Sequence, residues 1–303
     1  MKNKELINKF IEHIQIEKQY STETIRAYIN DLNEYQKIVV GKQERSLLDA
    51  NEIDVENYLN YLNHKHDERN TILRKISSIR SFYNYLIKND LAEKQPFEYI
   101  HLKKKANRLP KFLYPNEIKE LFKSARNGTN EALIPRNLAI LEVLFSTGLR
   151  VSECANLTLT KIDFDNLIMD VIGKGNKQRY VPFSHETYQA LVVYIRKARR
   201  PIMNKYHRQH DYLFINHIGN PLTARGIEYI LDAVLKNSSL DSNIYPHMFR
   251  HTFATEMLNN GADLRSVQEL LGHSSLSTTQ IYTHITKENL LKNYDKFFPR
   301  SDN

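Results

Sequence analysis

The sequence predicts a mainly α-helical protein with one small β-sheet, divided into an all-helical first domain and a mixed α/β second domain. Three observations support this prediction. The chain has 303 residues, more than a single small core usually accommodates. Apolar residues recur at helical spacing through most of it, whereas β-type runs concentrate around residues 167–183. We therefore expect domains at residues 1–95 and 113–303, joined by a basic linker at 96–112.

The composition favours a folded protein with an anionic partner. The formal net charge is +8 and 41% of the residues are hydrophobic, so both domains should fold and DNA is one of several candidate partners. Cys154 is the single cysteine, which excludes an intramolecular disulfide and any multi-cysteine metal site. The start of the chain has no apolar signal core and no run approaches bilayer length, so we expect a cytoplasmic protein.

Four amphipathic helices are expected in the first domain. Ser21 can cap the second helix, and Asn51 can cap the third. The fourth helix keeps one face apolar and carries cations nearby, among them Arg74, Lys75 and Arg80. These cations predict either a DNA-facing surface or an ordinary solvated face.

The linker strengthens the DNA interpretation. Lys103, Lys104 and Lys105 are followed by Arg108, a composition typical of a basic inter-domain segment. Lysines that run along phosphates add salt-dependent affinity. We therefore predict that the fourth helix and the linker both bind DNA.

A nearly all-apolar helix at residues 138–145 is expected at the centre of the second domain, after a helix that Asn116 can cap. Gly148 can end the central helix, which places Arg150 at the start of a new one. An arginine directly after so apolar a segment is costly to bury unpaired. It should therefore bind either an internal carboxylate such as Glu153 or a ligand anion.

The β-type runs at residues 167–172 and 179–183 predict a hairpin with Lys174 at its tip. Helices are expected at residues 186–199 and 227–235, with a short extended run at 213–215 between them. A hairpin lysine is usually just solvated, so the importance of Lys174 depends on its neighbours.

A histidine and an arginine share one helix face near the end of the chain. Pro246 suits the first position of a helix, where its missing N–H is not needed. His247 and Arg250 then lie three residues apart on the same face, and both can bind a phosphate. Gly261 is expected to end this helix.

The segment that follows carries a further histidine and a tyrosine. Asp263 can cap a helix that stops near Gly272 and leaves His273 just past its end. Ser277 begins a capping box, which puts Tyr282 in the second turn of another short helix. These groups are predicted to converge with His247 and Arg250 on one anionic site. The last helix, near residues 286–294, can pack on its own domain or on a neighbouring subunit.

Five short motifs in this order resemble those of a known family. They are residues 147–153, 173–175, 247–252 and 271–273, and Tyr282. The set resembles the tyrosine site-specific recombinases of the phage integrase family, and it is most similar to the Xer recombinases. Each motif is weak alone, but their joint order and spacing are highly specific, and the resemblance covers the whole chain.

The resemblance implies how the phosphate is bound. Arg150 and Arg250 match the arginine pair of the family, whose planar forks suit two-point contact with phosphate oxygens. His273 would add a hydrogen bond to the same phosphate, and Glu153 would orient an arginine.

The resemblance also assigns the covalent chemistry. Tyr282 would be the nucleophile that forms a 3′-phosphotyrosine, Lys174 the general acid for the departing 5′-hydroxyl, and His247 an aid to proton transfer. Neither metal, ATP nor another cofactor is implied. In the family, two strands are exchanged through a Holliday junction within a tetramer on two DNA sites. A sister Xer recombinase and a septal DNA translocase are the implied protein partners, and resolution of chromosome and plasmid dimers at cell division is the implied function.

Several alternatives start from the same residues. A mobile-element integrase would carry the same motifs, a type IB topoisomerase would cut and reseal one strand without exchange, and an accessory protein would bind DNA with a dead site. His247 and His251 have the i, i+4 spacing of zinc ligands, but Met248 stands where a metalloprotease places its glutamate. We therefore expect no metal.

Overall fold

The computed structural model describes residues 2–18, 20–41, 45–100, 112–128, 130–173, 177–240, 244–272 and 294–298. Of the predicted site residues, Lys174, His273 and Tyr282 lie outside the described residues, as do the linker lysines at 103–105. The chain divides into two units, Met1–Asn107 and Arg108–Asn303. Each unit has its own cluster of buried apolar side chains.

The described part of the first unit is helical, with α1 (Asn3–Ile16), α2 (Thr22–Val40), α3 (Glu52–His64) and α4 (Arg69–Lys88). The two predicted caps are present. The Ser21 side chain accepts a hydrogen bond from the backbone of Thr24, and the Asn51 side chain accepts from Ile53 and Asp54. All four expected helices are therefore confirmed.

Several aromatic side chains pack together in the core of this unit. Tyr35 and Tyr83 are fully buried, and their hydroxyl oxygens lie 3.2 Å apart. The Tyr83 hydroxyl also donates to the Leu47 carbonyl at 2.8 Å. Burial raises the pKa of both tyrosines, so both hydroxyls stay protonated hydrogen-bond donors.

The segment that directly follows α4 packs on the helical unit. Phe97 is fully buried among the aromatic side chains of the helical core. Arg80 donates to the carbonyl of Phe97 at 2.8 Å and to that of Ile100. Because these contacts hold the segment after α4 on the helical unit, residues 96–100 belong to that unit.

The described part of the second unit is mixed α/β. Its longer helices are α5 (Pro115–Arg126), α6 (Ile134–Thr147), α8 (His185–Tyr194), α10 (Ala224–Lys236), α11 (His247–Asn259) and α12 (Leu264–Leu271). The short α7 (Val151–Ala155) follows α6, and α9 (Arg200–Lys205) continues α8 through a π-helical turn at Ile195–Arg199. A small sheet of β1 (Ile162–Asp163), β2 (Ile168–Ile172) and β3 (Gln178–Pro182) completes it. The predicted fold class is confirmed.

Helix α6 lies at the centre of this unit, as its apolar sequence predicts. Its side chains from Ala139 to Leu144 are buried except for that of Glu142. Gly148 ends the helix in the left-handed conformation, with φ of 60°. A Cβ at this position would lie 2.7 Å from Phe253 and 2.8 Å from Leu271. Only glycine therefore allows α6, α11 and α12 to approach this closely.

The sheet is antiparallel with strand order β1-β2-β3. Its register pairs Met169 with Val181 and Val171 with Arg179. The predicted hairpin is confirmed, whereas β1 was not expected. The extended run predicted at 213–215 is not part of this sheet. Two isolated bridges are present at that run, between Thr158 and Tyr212 and between Ile215 and Pro221.

One predicted cap is wrong. Asn116 lies inside α5, because Pro115 occupies the first turn and Tyr114 is the cap residue. The backbone N–H of Tyr114 donates to the Glu117 carboxylate at 2.7 Å. Asp263 and Gly272 are confirmed, since Asp263 accepts from Ser266 at the start of α12 and Gly272 ends that helix with φ of 64°. The capping box predicted at Ser277 lies outside the described residues.

The described end of the chain packs on its own unit. Residues 294–297 form a helical turn, and both Tyr294 and Phe298 are buried. The Tyr294 hydroxyl donates to the Ser146 carbonyl at 2.9 Å, and its ring stacks on Phe253. These contacts are intramolecular, and the rest of the predicted last helix lies outside the described residues. Within the described chain, no helix combines the length and the apolar character that a membrane span requires.

The close packing around Gly148 gives a stability prediction. Gly148→Ala forces an L side chain into the left-handed region, which costs about 1–2 kcal/mol, and adds an overpacking cost of about 1–3 kcal/mol. Gly261→Ala is the matched control, since its φ is also positive but the nearest atom, on Phe297, is 3.7 Å away. We expect Gly148→Ala to lower the free energy of unfolding by about 3 kcal/mol and the control by only the backbone part. The chain has no tryptophan, so urea unfolding is followed by circular dichroism. Equal losses would contradict the packing argument.

Candidate catalytic site

Arg150 is held at the start of α7 by Glu153. The backbone N–H of Arg150 donates to one carboxylate oxygen of Glu153 at 2.9 Å, and its Nη1 donates to the other at 2.8 Å. Nε and Nη2 of Arg150 donate no hydrogen bond to a described residue, and the side chain is 32% exposed. The carboxylate alternative of the sequence analysis is confirmed. Within the described part of the chain, Nε and Nη2 are therefore available to an anion.

Helix α11 supplies His247 and Arg250. His247 is exposed at the start of the helix, whereas Arg250 is 6% exposed one turn later. Nη1 of Arg250 donates to the Gly148 carbonyl at 2.9 Å, and Nη2 donates to the Leu271 carbonyl. A guanidinium has five N–H donors, so donors remain after both bonds. Burial first, and the charge of Arg150 second, lower the pKa of Arg250 to about 10, and the side chain therefore stays charged at neutral pH.

One cavity of about 280 Å³ brings these groups together. Arg150, His247 and Arg250 line it, although they lie in distant parts of the sequence. Ala224 and Glu228 from the start of α10 form another part of its wall. Three of the six predicted catalytic residues therefore share one cavity, and the other three lie outside the described residues.

Arg179 was not predicted as part of the site. It projects from β3, and its Nη1 and Nη2 donate to the two oxygens of Glu153 at 3.0 and 2.9 Å. Its Nε donates to the Leu270 carbonyl at 3.0 Å. Strand alternation places Arg179 on the same face as the buried Val181. A cation at an inward strand position was the signal that would have identified it.

Glu153 is a buried carboxylate that stays ionised. Burial alone would raise its pKa, but the hydrogen bonds and charge of Arg179, followed by those of Arg150, hold the pKa below the ordinary value of 4.5. Arg150, Arg179 and Arg250 bring three positive charges to the region, whereas Glu153 and the exposed Glu228 of the cavity wall bring two negative charges. The excess positive charge favours an anionic ligand.

The predicted DNA-binding cations of α4 have different environments. Arg74 pairs with Asp31, yet its side chain is 45% exposed. Arg80 is engaged with the carbonyls after α4. Lys75 is 5% exposed, with its ammonium 2.7 Å from Asp67 and in contact with Glu34.

The position of Lys75 corrects the sequence interpretation. Lys75 adjoins the buried Ile76 on the inward side of α4, where two carboxylates from other parts of the unit neutralise its charge. A buried cation with two such partners stabilises the unit and is not presented at its surface. Contact of Arg74 and Arg80 with DNA stays a prediction.

Sequence spacing also raised a zinc alternative for His247 and His251. Among the described residues, no group of three or more His, Cys, Asp or Glu side chains is close enough to hold a metal ion.

The buried Cys154 adjoins Glu153, and burial raises the pKa of its thiol, so Cys154 contributes to packing.

The ion pairs of Glu153 give a pH-dependent prediction. Glu153→Gln should lower the free energy of unfolding at pH 7 by about 3 kcal/mol, because two guanidiniums lose a buried carboxylate. The folded-state pKa of Glu153 lies below 4.5, so its stabilisation is present above that pH and is lost as the pH falls through the lowered value. The difference between wild type and variant should therefore shrink below about pH 4.5. Urea unfolding at several pH values measures it.

Glu228→Gln is the matched control for this experiment. Glu228 lines the same cavity but is exposed, so its substitution should change the free energy of unfolding by less than about 0.5 kcal/mol. A difference for Glu153→Gln that stays constant down to pH 3 would contradict the ion-pair assignment.

Two family models match the chain. The phage integrase family matches residues 111–289, and the phage integrase N-terminal SAM-like domain matches residues 7–90. The first match contains the cavity with its arginine pair, and the second covers most of the helical unit.

Curated relatives extend over nearly the whole chain. The tyrosine recombinase XerC of Pediococcus pentosaceus is 50% identical over 298 residues, which cover 98% of this chain and 99% of the relative. The tyrosine recombinase XerC of Listeria innocua is 45% identical over 300 residues, which cover 98% of each.

A solved structure supports the same relationship. The XerH site-specific recombinase, bound to a palindromic difH substrate in a post-cleavage complex, has a TM-score of 0.65 and 25% identity. The similarity covers 88% of this chain and 78% of the XerH chain. From the family models, the near full-length relatives and the arginine pair in one cavity, we conclude that this chain belongs to the phage integrase family and is a tyrosine recombinase.

Proposed function

We propose that the protein is a site-specific recombinase that cuts and rejoins DNA through a 3′-phosphotyrosine intermediate and a Holliday junction, and that it resolves chromosome and plasmid dimers at cell division. The supporting observation is the cavity in which Arg150 and Arg250 have guanidinium donors that no described residue accepts. Planar donors at two positions suit the non-bridging oxygens of one phosphodiester. The excess positive charge around Glu153 supports the same ligand.

In the proposed reaction, the phenol oxygen of Tyr282 forms a bond to phosphorus while the bond from phosphorus to the 5′-oxygen breaks. Arg150, Arg250 and His273 stabilise the charge on the non-bridging oxygens. Lys174 gives a proton to the departing 5′-oxygen, and His247 assists proton transfer from the phenol. A 5′-hydroxyl of another strand then attacks the phosphotyrosine and releases Tyr282.

The covalent bond to Tyr282 conserves the energy of the phosphodiester, so religation needs no ATP. Cationic side chains also take the charge-stabilising role that metal ions have in many phosphoryl-transfer enzymes. Tyrosine has an ordinary pKa of about 10 and is mostly protonated at neutral pH. The positive charge of the site therefore also favours formation of the phenolate.

The relatives suggest the biological setting. Proteins named XerC, at 50% and 45% identity over nearly their full length, make the XerC type the best assignment. We infer that the DNA partner is a double-stranded recombination site in the cytoplasm, bound by a heterotetramer with a sister Xer recombinase. A septal DNA translocase is the proposed activator.

The nucleophile assignment is tested with a nicked suicide duplex, whose site is first selected from random-sequence duplexes by binding to the protein. Wild-type protein should form a covalent adduct in EDTA, resolved on a denaturing gel. Tyr282→Phe should bind the same duplex but form no adduct, because it lacks the attacking oxygen. An adduct with Tyr282→Phe would refute this assignment. Loss of cleavage on chelation, restored by zinc or magnesium, would refute the metal-free mechanism.

Two neighbouring cations of α4 offer a test of DNA contact. Each lost phosphate contact reduces the slope of log affinity against log salt by about 0.9. We expect Arg74→Gln to reduce the slope by that amount, because its side chain is partly exposed. Lys75→Gln should leave the slope unchanged and lower the free energy of unfolding by about 2 kcal/mol, because the half-buried carboxylates of Glu34 and Asp67 lose the buried ammonium that contacts both. Titrations of labelled duplex at four salt concentrations measure the slope, and the reverse pattern would contradict both assignments.

A further inference from the structure

Arg179 differs from the other arginines of the site in having no unused nitrogen. Nε, Nη1 and Nη2 each donate a hydrogen bond inward, to the Leu270 carbonyl and to the two oxygens of Glu153. Arg150 by contrast uses only Nη1 among its side-chain nitrogens within the described residues. The side chain of Arg179 is 12% exposed, against 32% for Arg150. Arg179 is therefore engaged with the protein, while Arg150 is open to a ligand.

The contacts of Arg179 join three separate segments. Arg179 lies on β3, Glu153 on α7, and Leu270 in the last turn of α12. In the sequence, β3 follows the hairpin turn that contains Lys174, and α12 ends just before His273. The guanidinium of Arg179 thus links the chain segments adjacent to Arg150, Lys174 and His273, which are three of the proposed catalytic groups.

Two motif glycines pack directly against this guanidinium. A Cβ at Gly173 would lie 3.2 Å from Nη1 of Arg179. A Cβ at Gly272 would lie 3.0 Å from its Cδ, and Gly272 also has a positive φ of 64°. The glycines of two recombinase motifs therefore leave the space that Arg179 occupies, which a side chain at either position would restrict.

The carboxylate of Glu153 transmits this constraint to Arg150. Each Glu153 oxygen accepts one bond from Arg179 and one from Arg150, either from its side chain or from its backbone. The bidentate pair fixes the plane of the carboxylate. A carboxylate in a fixed plane in turn fixes the direction of the Arg150 guanidinium.

We propose that Arg179 is a positioning residue for strand cleavage: it holds Glu153 so that Arg150 faces the scissile phosphate, and it fixes the end of α12 against β3. This inference rests on the proposed recombinase function. The principal competing interpretation makes Arg179 a third phosphate ligand, and another makes it a brace for the fold alone. The inward direction of all three nitrogens argues against a ligand role.

Single-turnover cleavage of the selected nicked duplex tests the proposal, with protein concentration varied to separate the saturating rate from half-saturation. A misplacement of about 1 Å in a catalytic group can cost about 100-fold in rate. We expect Arg179→Met to lower the saturating rate about 100-fold and to change half-saturation less than about threefold. Arg179→Lys keeps the charge but loses the fork, so it should recover little of the rate. If Arg179→Met does not fold, the saturating rate of Arg179→Lys tests the proposal in its place.

Coupling between the two residues is the second readout. If Arg179 acts through Glu153, the double variant Arg179→Met with Glu153→Gln should cleave no more slowly than the slower single variant. Arg199→Met is the matched control: Arg199 is as buried as Arg250 and donates to the carbonyls of His210 and Tyr212, away from the cavity lining. It should lower stability yet leave the saturating rate within about twofold of wild type.

Each other outcome overturns a defined part of the argument. A change in half-saturation alone would make Arg179 a DNA ligand, and multiplying effects in the double variant would remove the route through Glu153. If Arg199→Met lowered the saturating rate as much as Arg179→Met does, Arg179 would have only a structural role in the fold. An unchanged Arg179→Met beside an active wild type overturns the positioning role alone. No adduct with wild type overturns the proposed function, and the positioning role with it.

Discussion

The site depends on one buried carboxylate that two guanidiniums share. Glu153 loses almost all contact with water, and an ionised carboxylate in such a place is stable only with several hydrogen-bond donors. Arg179 supplies two donors, and Arg150 supplies one from its side chain and one from its backbone. Removal of one donor leaves one carboxylate oxygen with a single hydrogen bond. Glu153 therefore restricts Arg150 to one orientation before any ligand arrives.

The three arginines differ in how many of their side-chain nitrogens donate hydrogen bonds to the protein. Among the described residues, Arg179 finds acceptors for all three side-chain nitrogens, Arg250 for Nη1 and Nη2, and Arg150 for Nη1 alone. A phosphate in the cavity meets donors whose direction the protein has already fixed. Such preorganisation matters because stabilisation of transition-state charge then needs little rearrangement during the reaction.

Local signals in the sequence predicted most of the helices and the hairpin. Caps such as Ser21 and Asp263, and the glycine end at Gly148, depend on neighbours within four residues, so a single segment contains the information. Asn116 failed because Pro115 competes for the first turn and starts the helix earlier. The motifs identified Arg150, His247 and Arg250, which the fold brings to one cavity. Their shared cavity still needed the structure, because no local pattern fixes how α6 meets α11.

Lys75, which was predicted to bind DNA, and Arg179, which was not predicted, have a common physical explanation. Both occupy inward positions of an amphipathic element, and both pair with carboxylates from other segments of the chain. A count of basic residues therefore overstates the charge offered to DNA, since such cations are already paired within the fold. Periodicity can separate the two classes: a cation in phase with the apolar face implies an internal acidic partner, and a cation out of phase implies solvent or a phosphate. By this criterion Arg179 belongs with its apolar neighbours Val171 and Val181, and its contribution to catalysis passes through Glu153.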